Sequence, residues 1–445
     1  MIEALQRAWS IPEIRKRILF VLGMLAVFAL GAHIPVPGVD PKKLEGVLAN
    51  LGGVLSLVDV FSGGALRRLS IFALGISPYI NASIIMQMMS IAIPALEVLS
   101  KEGDAGRKKI AKYTRNLTVL LALVQAVGII LVFSGNGLQL HPLQSLRIVI
   151  SFTAGTMFLL WLGEQVTQKG VGNGVSLVIF AGILLSLPGS ISNIGKQVMA
   201  GTASWFSVVI LITVFIATVF AVVYITQGIR RIPIQHTKRV IGMRQTQAGA
   251  AFLPIKVNSA GVIPIIFAVS LMLFPATIIN AMPGTPGVGF IGWLKEKSMY
   301  LSPGANIGST LLYALLIVAF TYFYTAIVMN VQEMSDNLKK YGNYIPGIRP
   351  GKPTYDYLER VISRITFAGA IFLAGIAILQ YIIPGLQQFN SFSLIGGTSL
   401  LIVVGVAIET MQAIEAQLLM RNYEGFIKQP KKSETTAGGI LGGVQ

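Results

Sequence analysis

The chain has 445 residues, of which 53% are apolar and only 12% charged, where soluble domains carry about 25% charge. The 35 Lys and Arg outweigh 18 Asp and Glu to leave a net charge of +17, and there is no cysteine. These figures exclude a soluble globular domain, a disulfide scaffold and any thiol chemistry, and His33, His141 and His236 lie too far apart in sequence to form a local metal or triad motif.

A bilayer core about 30 Å thick takes about 20 apolar residues per helix. Ten such runs are predicted, over 18–34, 71–93, 117–134, 146–163, 173–189, 206–226, 259–280, 308–330, 365–384 and 396–418. The first follows Arg15-Lys16-Arg17 and ends in small residues, which mimics a secretory signal. Retaining it puts both termini on one side, and that is the expectation. Residues 54–70 are too short and mixed to span, and they carry Arg67 and Arg68. A half-helix folded into a cavity and an ordinary exterior loop are both open readings.

The second span has a glycine-rich approach and contains Gly75 and Pro78. Ser77, Asn81, Ser83 and Gln87 form a polar stripe along it, while Ile80 and Ile84, four apart, share another face. Isoleucines repeat that spacing as Ile179 and Ile183 in the fifth span, which is short and flanked by Gly170, Gly172, Gly174 and Pro188. Such pairs suit ordinary packing and also a narrow apolar constriction that closes by dewetting. The turn-rich stretch 188–205 divides the spans five and five. Halves with an odd number of spans enter the membrane from opposite faces, which predicts an inverted repeat. The second member of each half is the irregular one, since the seventh span carries Gly261, Pro264 and Pro275.

Ionisable groups at membrane depth are nearly absent; Asp59, Glu164, Glu409 and Glu415 all fall near span ends. A coupled transporter would need such groups and an intramembrane enzyme would need a catalytic pair, so a passive pathway is favoured. No catalytic set, metal site, cofactor motif or nucleotide-binding loop is expected. Roughly three-quarters of the 35 basic residues fall on the side of the termini, which the positive-inside rule makes cytoplasmic. Two cytoplasmic loops, 227–258 and 331–364, hold Arg230, Arg231, Lys238, Arg239, Arg244, Lys256, Arg349 and Lys352. In the second, IPGIRPGKP stiffens the backbone around Arg349, and such protruding cations suit acidic or phosphate partners.

Six segments carry a resemblance: ALGISPYINASIIMQ (73–87), GVGNGVSL (170–177), RRIPIQHTKR (230–239), LPIKVNSAGVIP (253–264), IPGIRPGKPT (345–354) and GGTSLLIVVGVAIETMQAIEAQLLMRNYEGF (396–426). Over nearly its whole length the chain resembles the SecY family, the central subunits of the bacterial Sec protein-translocation channel. The resemblance implies an all-α polytopic protein with an N-terminal half over 1–200 and a C-terminal half over 201–445, clamped around an hourglass pore. It implies a pore ring of Ile80, Ile84, Ile179, Ile183, Ile266 and Ile402, and a plug within about 57–68 that includes Leu57, Asp59, Phe61, Gly63, Gly64 and Arg67. It implies a lateral gate marked by Asn81, Gln87 and Phe274, beside which signal peptides and nascent chains reach the lipid bilayer. The basic loops would dock the ATPase SecA or phosphates of the ribosome, and the subunits SecE and SecG would complete a channel in the bacterial cytoplasmic membrane. Two departures concern loop 227–258: His236 stands where the family has an aromatic residue, and Thr226 and Gln227 replace an acidic one.

Overall fold

The computed structural model describes residues 2–37, 59, 62–135, 141–201, 204–236, 240–241, 244–245, 250–282, 289–387 and 397–427. Fourteen α-helices have their bounds within these residues. The first half holds α1 (Ile2–Ser10), α2 (Pro12–Gly31), α3 (Ser77–Ala92), α4 (Pro94–Lys101), α5 (Asp104–Gly135), α6 (Pro142–Lys169) and α7 (Gly174–Met199). The second holds α8 (Trp205–Gln227), α9 (Ile263–Ala281), α10 (Gly289–Lys297), α11 (Ile307–Val328), α12 (Val331–Lys340), α13 (Lys352–Gln387) and α14 (Thr398–Ile427). Among the described residues eight helices are long and apolar enough to cross a membrane, and the pair α3–α4, bent by 101°, makes a ninth. The tenth expected span falls on α2, which is 20 residues long but carries Arg15, Lys16 and Arg17 in its first two turns.

The irregular second span is built differently from the expectation. Residues 71–76 are turns and the helix begins only at Ser77, so Gly75 and Pro78 start it instead of interrupting it. The break lies at Ile93, where Pro94 opens α4 at a steep angle. With 16 residues α3 is about 24 Å long, short of the bilayer core. The seventh span starts the same way. Gly75 has φ +57° and Gly261 φ +63°, each is followed by an uncapped residue in the helical region, and Pro78 and Pro264 are the second residues of their helices. Left-handed glycine turns the chain and proline, lacking an N–H, fits a first turn that needs no donor. This Gly-x-x-Pro start, repeated in helices that run in opposite directions, is a local signature of the inverted repeat.

Two other boundaries differ. Helix α7 continues through Pro188 to Met199, so most of the expected connection 188–205 is helical. The loop 331–364 is largely ordered into α12, the two-residue strand β5 (Asn343–Tyr344) and the first turns of α13. It joins the other loop in one sheet. Strand β1 (Ile229–His236) pairs antiparallel with β4 (Ala250–Lys256) and, at Gln235 and His236, with β5. Two short strands, β2 (Val240–Ile241) and β3 (Arg244–Gln245), form a separate hairpin. The period-two alternation of β1 buries Ile232 and Ile234 against Ile255, Leu338, Ile345, Leu358 and Ile362. The two loops therefore make a single small domain with its own core.

The main core runs through both halves. Helix α9 packs on α3 and α5 along one seam, and α14 packs on α7 along the other. Close approach depends on glycine: a Cβ on Gly155 of α6 would lie 2.0 Å from the carbonyl oxygen of Ile71, so α6 seats the approach to α3 only because no side chain is there.

Candidate functional site

Two cavities lie between the halves. One, of about 240 Å³, is lined among others by Ser83, Gln87, Asn173, Ile263 and Tyr324, toward the face that bears the termini. The other, of about 40 Å³, is lined by Leu74, Ser77, Asn81, Gln125, Ser270, Phe274 and Thr277, toward the opposite face. Since a water needs about 10–15 Å³, the first holds many waters and the second only a few. Ile80, Ile179 and Ile266 line both, so they form the partition. No charged side chain lines either cavity. Ile80 and Ile266 are each the fourth residue of the helix, in α3 and α9 respectively. Ile84, Ile183 and Ile402 are buried in the same apolar core but line neither cavity.

The seam between α3, α5 and α9 is polar without being charged. Asn81 and Gln125 are buried there, with Ser77, Ser270 and Thr277 around the smaller cavity. Phe274 lines that cavity, and Gln87 lines the larger one, where its Nε2 donates to Ser83 Oγ at 3.2 Å. Gln125, Ser270 and Thr277 escaped sequence reasoning. The available signal was a lone amide in the apolar run 117–134.

Of the segment preceding α3, Leu57 and Phe61 lie outside the described residues. Asp59 is helical and buried, and residues 62–76 make turns that are mostly buried in protein. Asp59 organises them. Its Oδ1 accepts the backbone N–H of Arg67 at 2.9 Å, its Oδ2 pairs with Arg67 Nε at 2.8 Å, and its carbonyl accepts from Gly64 N–H at 2.8 Å. Burial pushes the Asp59 carboxyl above its ordinary value, against the pull of the Arg67 N–H and guanidinium. Gly63 rests on α7, where a Cβ would be 3.3 Å from Gly182. Ala65, Leu66, Leu69 and Ser70 are buried, and a bridge between Pro35 and Ser70 ties the segment to the end of α2. Replacing Arg67 with glutamine leaves the buried carboxylate without its cation. Because Arg67 is half exposed the cost is about 1 kcal/mol, and amide exchange at Gly64 and Arg67 should quicken about fivefold. Exchange at the wild-type rate would show that the pair does not hold the turn.

On the loop domain Arg230, Arg231, Arg349 and Lys352 are exposed. Arg349 sits in a fixed turn: Gly347 and Gly351 are left-handed, Thr354 Oγ1 donates to the Arg349 carbonyl at 2.8 Å, and Ser335 Oγ to that of Gly351 at 3.2 Å. Lys256 instead reaches α14, donating to Gln412 Oε1 at 2.8 Å. Lys238 and Arg239 lie outside the described residues, and Arg244 is placed by its backbone in β3.

A family model described as SecY matches residues 70–411. The protein translocase subunit SecY of Staphylococcus carnosus is 44% identical over 438 residues, which cover 96% of this chain and 99% of that one. The same subunit of Thermotoga maritima is 42% identical over 443 residues, 97% of this chain and 99% of that one. A solved structure described as a protein conducting channel superposes with a TM-score of 0.68 over 96% of this chain and 99% of the other, at 20% identity. Sec61 in a canine ribosome–channel complex superposes with a TM-score of 0.65 at 18% identity, over 96% and 99% of the two chains.

Proposed function

The chain belongs to the SecY family of protein translocase subunits, and from that membership we propose that it is a passive, gated channel for unfolded polypeptides in the bacterial cytoplasmic membrane, with both termini cytoplasmic. The observation that carries this reading is the three-isoleucine partition between two uncharged cavities, Ile80 and Ile266 being supplied from equivalent points of the two halves. A pore for many sequences cannot depend on specific pockets. Apolar walls exclude water and ions at rest without gripping what passes. Ile84, Ile183 and Ile402 thicken the ring, and the segment from Asp59 to Arg67 is the plug on its exterior side.

The seam of α3, α5 and α9 is the lateral gate. Asn81, Gln125 and Ser270 line the smaller cavity at this seam, and interhelical polar contacts in lipid average below about 1 kcal/mol, so a signal helix that offers replacement contacts can part it. Phe274 and Gln87 flank its two ends. The loop domain around Arg349 docks SecA or ribosomal phosphates, which supply the energy, and SecE and SecG bind as partner subunits.

Because the chain has no cysteine, single cysteines can be placed cleanly at the ring. A secretory chain stalled in transit should crosslink to cysteines at 80, 179 and 266 and far less to one at the lipid-facing position 216. Equal crosslinking at all four would place the pathway elsewhere.

A further inference from the structure

We propose that α10 and the turn after it form a lipid-headgroup anchor on the face opposite the termini. Helix α10 puts Phe290, Trp293 and Lys297 on one face by the spacing i, i+3, i+7. The rings of Phe290 and Trp293 stack with centroids 6.2 Å apart, and Lys297 Nζ stands 5.5 Å from the ring centroid of Tyr300. All three aromatic residues are exposed, Phe290 by 74%, Trp293 by 51% and Tyr300 by 46%. Gly292, on the other side of the helix, is buried.

The height of this face is fixed by its neighbours. Ser298 Oγ donates to Asn280 Oδ1 at 3.3 Å, in the last turn of α9, and the Tyr300 ring lies against Gly308, the second residue of α11. Two spanning helices thus hold the cluster level with their own ends. Beside it α11 presents Ile307, Leu311 and Leu315, exposed by 86%, 64% and 59%, as an apolar stripe running into the membrane. An aromatic cluster continuous with that stripe would be a costly patch in water. Aromatic rings beside a lysine that can reach upward match the headgroup layer, where one end of each side chain is wet and the other dry. Charge agrees, since Lys295 and Lys297 outnumber Glu296 on this helix, and phospholipid phosphates are the complementary anion. This site is independent of the pore reading.

The chain has four tryptophans, so changing Trp9, Trp161 and Trp205 to phenylalanine leaves Trp293 as the only reporter. The full-length variant, with any subunits that purify with it, is reconstituted into phosphatidylethanolamine–phosphatidylglycerol vesicles. Lipids brominated high on the acyl chain should quench Trp293 more than lipids brominated near the chain end, and acrylamide should quench it weakly. In phosphatidylcholine alone, or with Lys297→Gln, the acrylamide-accessible fraction should rise about fivefold. Should the variant misfold, Phe290→Trp with Trp293→Phe in the same background reads the same face. Strong acrylamide quenching without lipid quenching would mean a water-exposed loop. Protection from both quenchers would mean a protein covers the face. Either result overturns the proposal.

Discussion

Channels carrying Ile80→Asn, Ile84→Asn and Ile402→Asn together should leak ions at rest and export proteins whose signal sequences are defective. Ile80 is the partition residue contributed by α3, and Ile84 and Ile402 back it within the core. Each amide placed there without a partner costs the closed state about 1–3 kcal/mol, a factor of about 5–150 in the closed-to-open ratio. It also gives water something to bind in a neck that otherwise stays dry. Ile80→Asn alone should produce most of the leak because it faces both cavities, whereas Ile402→Asn alone should act mainly by loosening the packing. Conductance of reconstituted vesicles and export of a signal-defective reporter measure the two effects. Unchanged values in the triple variant would remove the ring assignment.

Arg349→Glu should abolish SecA-driven export while leaving the channel inserted and folded. The side chain is exposed, the backbone beneath it is locked by the Thr354 and Ser335 hydroxyls, and among the described residues no acidic side chain pairs with it. Reversing such a preorganised charge turns an attraction into a repulsion at a desolvated contact, which weakens docking by about ten- to a hundredfold. Lys352→Glu, on a longer flexible stem one turn away, should cost less. SecA binding to vesicles and ATP-dependent export report the loss. Normal export by Arg349→Glu would refute docking through this turn, and an intact protease-resistant loop domain controls for misfolding.

Most of the fold was legible because hydropathy needs no partner: a run of 20 apolar residues announces a span whatever packs on it. Helix ends were less legible. Gly75 and Pro78 mark the span as irregular because glycine and proline usually break helices, yet the combination of a left-handed glycine and a proline at the second position starts one. Pro188 opens the turn-rich stretch in sequence but lies within α7, as prolines in spanning helices can. The loop domain was missed as a unit. The alternation of Ile232 and Ile234 is visible in sequence, but a two-residue partner strand more than a hundred residues away gives no signal. At the site, the isoleucine spacing suggested a pair per helix, and only the cavities single out Ile80, Ile179 and Ile266. Gln125 looked like one tolerable amide among apolar neighbours because its burial beside Asn81 depends on which spans meet.

The opposed starts of α3 and α9 have an electrical consequence. Each helix carries a dipole equivalent to about half an elementary charge at either end, and the two lie side by side pointing in opposite directions. The voltage across the membrane therefore does nearly equal and opposite work on them. With no charged side chain lining the cavities on either side of that seam to supply a gating charge, the pair has no electrical handle, and an energised membrane does not pull the two helices apart.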